Sequence, residues 1–334
     1  MLVKHSSRSA FSEIVHDESG RRLLGDLLGH LRTPLSRDDL FAAVAATSAG
    51  RACGDELGAL LDGVLTYLVD RAIVVDAATD PTTAYLDLLG DGGQRRLDRV
   101  GVVGAGPLGR RIAAALAALN PSAMRILDGR AVTSVDARRL ATTGAGDTAA
   151  RVLAAELGVD TAPGDLTDPA ALRGLFADSD LVVLALDEFS PALLHTANEV
   201  AVEAVTTWFS VFTDGSEGVV GPLYVPGETC CYQEYAIQQE SAMLLKGDFL
   251  LYKEARDAAG ITGFGATLPC HLDLVAGLAA TAVLQHLLRG RSVLAGRAVH
   301  VEFESLTLDY HNVMRLPRCV ACADVVPAYR NLFQ

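Results

Sequence analysis

Positive charge is in short supply. The 334 residues carry 28 Lys and Arg against 41 Asp and Glu, a net charge of −13, and a field of that sign opposes attraction to nucleic-acid phosphates or to an anionic bilayer. Neither nucleic acid nor a membrane is an expected partner. Cysteine is sparse as well, six residues at 53, 230, 231, 270, 319 and 322, which argues against a disulfide-stapled secreted domain. The segment MLVKHSSRSAFSE lacks the apolar core of a secretory signal, so a cytoplasmic location is expected. The most apolar run, Leu272 to Leu288, contains Asp273, Gln285 and His286 and falls short of the ~20 apolar residues of a spanning helix. It reads as a buried helix, with a dimer face as the other role open to it. The eight histidines form no H-x-x-x-H pair and no Ser/His/Asp pattern, so neither a His-based metal centre nor a triad is supported.

Half of the chain is apolar, and at roughly 150 residues per domain its length suggests two domains, each able to bury a core. Residues 1–76 read as a small helical module. Leu23, Leu24, Leu27, Leu28 and Leu31 make one apolar stripe, Ser36 opens a second helix that buries Leu40 and Val44, and a third beginning near Gly54–Asp55 buries Leu57, Leu61, Val64, Leu65 and Leu68. Ala72–Val75 looks extended, and Met1 to Val15 holds at most one or two short strands. Three helices with a small sheet make a winged-helix type of module. Residues 1–90 hold 8 Lys and Arg against 13 Asp and Glu, a balance of 8 − 13 = −5, which counts against DNA binding because a groove reader needs a basic face. Residues 77–98, with Asp80–Pro81, Gly92–Gly93 and a charged run from Arg95 to Arg99, read as a linker.

Residues 99–334 have the texture of an α/β domain. Val100–Val103, Met124–Leu127 and Leu181–Leu186 are apolar runs of strand length, separated by helical stretches such as Arg110–Leu119 and Pro191–Val205. That alternation builds a doubly wound, Rossmann-like parallel sheet. Thr207–Phe212 and Gly218–Val225 look like further strands, Tyr232–Ala259 like one helical stretch, and Val299–Leu308 with Asn312–Leu316 like a terminal pair of strands.

Gly104-x-Gly106-x-x-Gly109 follows a strand and opens a helix, and Asp128 lies 19 residues beyond Gly109. Glycines there let a phosphate approach backbone N–H groups at the helix N-terminus, and Asp128 is spaced to accept from a ribose hydroxyl. The same glycines also serve tight strand–helix packing, so the motif supports the fold more firmly than a ligand. Cys319-Val320-Ala321-Cys322 is a knuckle with two thiols, and Cys231 with Glu234 repeats its spacing with a carboxylate in the last place. A structural Cys₃Glu zinc site is one reading; reduced, partly buried thiols are the other. Cys53 and Cys270 read as core residues.

GVVGAGPLGRRIAAAL, RILDGRAV, SDLVVLALDEFSPALL, EGVVGPLYVPGETCCYQEY and LPRCVACA, taken in order, resemble the ThiF/E1-like superfamily. They are most similar to its branch in thiazole/oxazole peptide biosynthesis, where a precursor-peptide recognition element of winged-helix type precedes the E1-like domain. The resemblance implies the leader of a ribosomal precursor peptide and a YcaO-type cyclodehydratase as partners. It places Asp128 and Asp187 at the strand ends where adenylating members carry acids. It also implies an Asn-x-x-Arg-Gln element where this chain has Ser134-Val135-Asp136-Ala137-Arg138-Arg139, and a Lys where Asp147–Val152 offers only Arg151. Without those groups the α-phosphate charge of an adenylation lacks its counterion. The expectation is therefore a non-catalytic partner protein that presents a peptide for azoline formation and does not use ATP. Family recognition elements take the leader as an added strand beside the third helix; here the edge strand would come from Leu2–Ser12, with Leu60 and Tyr67 within reach of the peptide. The alternatives are a ThiF-type adenylyltransferase using Gly104, Gly106, Gly109, Asp128 and Asp187, and an NAD-dependent oxidoreductase using the same turn.

Overall fold

The computed structural model describes residues 2–4, 12–14, 22–71, 73–79, 84, 99–140, 142, 144–261 and 267–323. The chain divides into two units, Met1–Gln94 and Arg95–Gln334.

In the first unit β1 (Leu2–Lys4) and β2 (Ser12–Ile14) form an antiparallel hairpin with Leu2 opposite Ile14. Helices α1 (Leu23–His30), α2 (Arg37–Ala45), α3 (Ser48–Cys53) and α4 (Leu57–Asp70) follow. Ser36 caps α2 as its position suggests, its hydroxyl accepting from the Asp39 N–H at 3.1 Å. The third expected helix is preceded by a separate short one, α3, capped by Thr47 through the Gly50 N–H. Gly50 is required there, because a Cβ would lie 2.1 Å from the Val44 carbonyl oxygen. Leu27, Leu40, Val44, Leu61 and Leu68 close the core. After α4, residues 73–79 form bends and turns, so the extended segment expected at 72–75 supplies no wing strand among the described residues. Of the expected linker, only 77–79 and 84 belong to the described residues; the charged run at 95–98 lies outside them.

The second unit is built on one eight-stranded sheet: β3 (Arg99–Val103), β4 (Ala123–Leu127), β5 (Asp160–Thr161), β6 (Leu181–Leu186), β7 (Thr207–Asp214), β8 (Glu217–Tyr224), β9 (Arg297–Glu302) and β10 (Thr307–Asn312). Their order across the sheet is β10-β9-β8-β7-β6-β3-β4-β5. Strands β3 to β7 are parallel, and β8, β9 and β10 extend the sheet antiparallel. Helices α5 (Pro107–Ala117), α7 (Ala149–Leu157) and α12 (Pro269–Arg289) cover one face. Helices α8 (Pro169–Ala177), α9 (Pro191–Ala204) and α10 (Tyr232–Ala242) cover the other. Burial on both faces explains why β6 reads as the unbroken apolar run Leu181–Leu186, every residue of it buried. The direction of winding reverses between β3 and β6, which opens a crevice at the carboxyl ends of those strands.

Four expectations need correcting. Tyr232–Ala259 is two helices, α10 and α11 (Lys246–Ala259), because Met243 turns extended. The terminal hairpin turns earlier than read: β10 is Thr307–Asn312, and the turn places Leu306 at φ +55°, a left-handed position with no Gly or Asn to announce it. Helix α6 (Ser134–Arg139) and α7 lie in a stretch left unassigned by periodicity; both start from threonine caps, at Thr133 and Thr148. Finally, α12 has 21 residues, 20 of them long and apolar enough by length and hydropathy to cross a bilayer, so the length argument does not hold. Its inner face, with Val275, Ala279 and Val283 fully buried, packs into the sheet core.

Candidate functional site

The crevice at the carboxyl ends of β3, β4 and β6 gathers Gly104, Gly106, Gly109, Asp128 and Asp187. Packing alone accounts for two of the glycines. Gly104 has φ +98°, and a Cβ on it would sit 2.0 Å from the Ala185 carbonyl oxygen; one on Gly109 would sit 2.0 Å from the Gly104 carbonyl oxygen. The turn is thus pressed against β6 and the helix against the turn. Gly106 takes the N-cap position of α5, followed by Pro107.

Asp128 is buried and fully engaged within the chain. One oxygen accepts from the Ala105 N–H at 2.8 Å and from Arg130 Nη2 at 2.6 Å, the other from the Arg130 N–H at 3.1 Å and Nε at 2.9 Å. Four donors fill the acceptor capacity of a carboxylate. A ribose hydroxyl therefore reaches Asp128 only if Arg130 moves. Burial works against the charge on Arg130, but the hydrogen bond and charge of Asp128, with Asp187 and Glu188 behind, outweigh it and hold the guanidinium above its usual range.

Asp187 is the opposite case. One oxygen accepts from the Leu108 N–H in the first turn of α5 at 2.8 Å; the other is buried without a partner. Burial pushes this carboxyl up to about 7 against the pull of the Leu108 N–H and Arg130, and the charges of Asp128 and Glu188 add to the rise. Its backbone carbonyl accepts from the Thr213 hydroxyl at 3.0 Å, which ties the end of β6 to β7. Next to it, Glu188 pairs with Arg256 of α11 at 2.6 Å.

Arg130 is the cation that the sequence reading missed. Two residues beyond Asp128 at a strand end, it had no spacing rule to announce it. The groups weighed in its place stand elsewhere: Arg138 is exposed on α6, and Arg151 is exposed and paired with Asp147 at 3.4 Å.

In the first unit Leu60 and Tyr67 lie two turns apart on α4. Leu60 is 37% exposed; Tyr67 packs against the helical core, and the Arg71 guanidinium lies 4.9 Å from its ring centroid. Leu60 is the more accessible of the two.

A second cluster lies where α10 begins. The thiols of Cys231, Cys319 and Cys322 are buried with their sulfurs all within 4.8 Å of one another, Cys231 and Cys319 at 3.6 Å. Thiolates around a tetrahedral zinc stand about 3.8 Å apart, given Zn–S bonds of about 2.3 Å, so the three fit one ion. Glu234 lies outside this group of three. It is fully buried, one oxygen accepting from the Cys231 N–H at 2.8 Å and the other from the Leu316 N–H at 2.7 Å. It ties the start of α10 to the segment entering the Cys319 knuckle. Burial raises the Cys231 and Cys322 thiols, Cys322 to about 11, and zinc held here would join the two segments as a structural pin. Cys230 points into the neighbouring core, Cys53 is buried in the first unit, and Cys270 is exposed, contrary to its expected core position. Cobalt(II) added to the reduced chain is expected to produce thiolate-to-metal charge-transfer absorption. Cys319→Ser should remove the band and Glu234→Gln should keep it; loss of the band in both would make the carboxylate a ligand.

A doubly wound parallel sheet with a glycine turn, acids at the ends of β4 and β6, and an antiparallel extension leading to a thiol knuckle defines an E1-like nucleotide-fold protein. A model of the ThiF family matches residues 81–321. The chain belongs to the ThiF family. Comparison with curated proteins gives no match. Among solved structures, E. coli MccB has 15% sequence identity and a TM-score of 0.61, covering 100% of this chain and 98% of that one. The E. coli MccB structure with ATP has 16% identity and a TM-score of 0.60, covering 96% and 94%. The microcin C7 biosynthetic enzyme MccB in complex with N-formylated MccA gives 16%, 0.60, 96% and 97%, and PaaA gives 16%, 0.57, 91% and 93%. These likenesses are of fold.

Proposed function

We propose that this chain is an ATP-dependent adenylyltransferase acting on a peptide carboxylate in the biosynthesis of a ribosomal peptide. The observation that carries the reading is Asp187: a buried carboxylate with one oxygen anchored on a helix N-terminus and the other unpartnered, at the crevice where this sheet type binds its ligand. A peptide-presenting scaffold has no use for an orphaned acid there, whereas a divalent ion accompanying a triphosphate gives that oxygen a partner. In the reaction a peptide carboxylate oxygen attacks the α-phosphorus, the bond to the β-phosphate breaks, and pyrophosphate leaves. Arg130 is the chain's own cation for the charge that grows on the α-phosphate. It exchanges Asp128 for phosphate and in doing so releases Asp128 to a ribose hydroxyl. The expectation that ATP is not used rested on missing cations, and Arg130 removes that ground. The likeness to MccB structures containing ATP and MccA supports the same reading.

The partner reading, in which the first unit holds a leader peptide for a YcaO-type enzyme, draws on the β1–β2 hairpin and the accessible Leu60, and it shares the peptide while dispensing with ATP. Calorimetry with MgATP and the full chain, followed by ATP–pyrophosphate exchange with short peptides encoded beside the gene as acceptors, separates the two. Binding below millimolar and exchange that needs a free peptide carboxylate are expected. No MgATP binding at millimolar concentration sinks the adenylation reading and leaves the partner role.

A further inference from the structure

Beside the crevice, at the carboxyl end of β7, an open pocket with a cavity of about 70 Å³ lies between the sheet and helices α10 and α11. Its floor is aromatic. Phe189, two residues past Asp187, stacks on Phe212 at 5.1 Å and on Phe249 at 6.3 Å, and Tyr232 and Tyr235 complete the wall. Its polar groups are mainly acidic: Asp214, Glu217 and Glu240 face one cation, Lys253, beside Gln239 and His300, an imidazole that burial pushes down to about 4 and so keeps neutral. Lys253 is already committed to Glu240 at 2.5 Å. Asp214 accepts from the Tyr252 hydroxyl at 2.6 Å and lies within the field of Arg256 on α11, which is paired with Glu188; the Glu217 carboxylate has no hydrogen bond or ion pair among the described residues. Partial burial, and after it the charges of Asp214 and Glu302, raise the Glu217 carboxyl above its usual range.

We propose that this pocket binds a cationic side chain, an ammonium or guanidinium on an apolar stem, belonging to the peptide whose carboxylate enters the crevice. Aromatic faces and an excess of carboxylates over cations are complementary to such a group on both counts, and they repel phosphate. The neighbouring strands β6 and β7 bring the pocket and Asp187 to one sheet edge, at a strand spacing of about 4.8 Å, so the basic residue lies within a few positions of the reacting carboxylate. Exposed Met243, Leu244 and Leu245 continue an apolar surface from the mouth of the pocket. The peptide origin of the cation rests on the function proposed above; the charge preference of the pocket does not.

Benzamidine and its neutral analogue benzamide, titrated into the full chain by NMR without ATP, read the charge preference. Benzamidine is expected to bind at least tenfold more tightly, Asp214→Asn with Glu217→Gln to abolish the difference, and Lys253→Gln, which frees Glu240, to increase benzamidine affinity several-fold. Equal binding of the two compounds, no binding of either, or no response to Lys253→Gln overturns the pocket. The peptide assignment is read with acetyl-Ala-Arg-Ala-Ala and the same peptide carrying citrulline in place of arginine. A tenfold preference for arginine is expected; benzamidine selectivity without it overturns the assignment to a peptide, whatever the outcome of pyrophosphate exchange.

Discussion

Replacing Arg130 with methionine is expected to destabilise the E1-like unit by about 3–5 kcal/mol, the cost of leaving a buried charge without its partner. Asp128 is buried and would keep only the Ala105 N–H and the backbone N–H of residue 130. Adding Asp128→Asn removes the orphaned charge, so the double variant should recover most of the loss. Urea denaturation of the full chain, followed by tryptophan fluorescence, measures both, since Trp208 is the chain's one tryptophan and is buried in the sheet core. Neither variant should bind MgATP as the parent does, because both lack the phosphate cation and the double variant lacks the Asp128 carboxylate as well. Additive losses in the double variant would contradict the pairing, since residues that act through one contact are not additive.

Asp187→Asn is expected to act on activity and stability in opposite directions. Pyrophosphate exchange should fall at least 100-fold, in the range seen when one electrostatic group of an active site is removed. Stability at pH 8 should rise. The folded protein holds this carboxyl at about 7, against about 3.9 in an unfolded chain, so between those values the native state binds the extra proton. Its stabilising contribution is complete at low pH and is lost as pH rises through about 7. Three pH units correspond to about 4 kcal/mol, which for a unit of this size is several degrees in melting temperature. Thermal melts from pH 4 to pH 8 should therefore slope downward in the parent and flatten in the variant. Parallel slopes would place the titrating group elsewhere.

What could be read in advance follows from how local each determinant is. The strands Val100–Val103 and Leu181–Leu186 are buried on both faces, and continuous apolar runs report that directly. The Ser36 cap and the glycine turn depend on neighbours within a few positions and were equally legible. The break between β9 and β10 was not, because the terminal hairpin turns at Leu306 in a left-handed conformation that a leucine gives no reason to expect. The helices α6 and α7 escaped because they are short and sit among threonine caps and small residues with little periodicity. At the crevice, Asp128 and Asp187 were found from strand ends, while Arg130 depends on a turn folding its side chain back over two residues. Glu234 was given a metal because its spacing from Cys231 repeats that of the knuckle; its second hydrogen bond is to Leu316, 82 residues away, and no local pattern encodes that distance.

Helix α10 joins the thiol cluster to the acidic pocket. Its first turn carries Cys231 and Glu234 at the thiol cluster, and its later turns carry Tyr235, Gln239 and Glu240 in the wall of the acidic pocket. A helix of 11 residues is a stiff element, so the packing of the thiols at its start also fixes where that wall of the pocket stands.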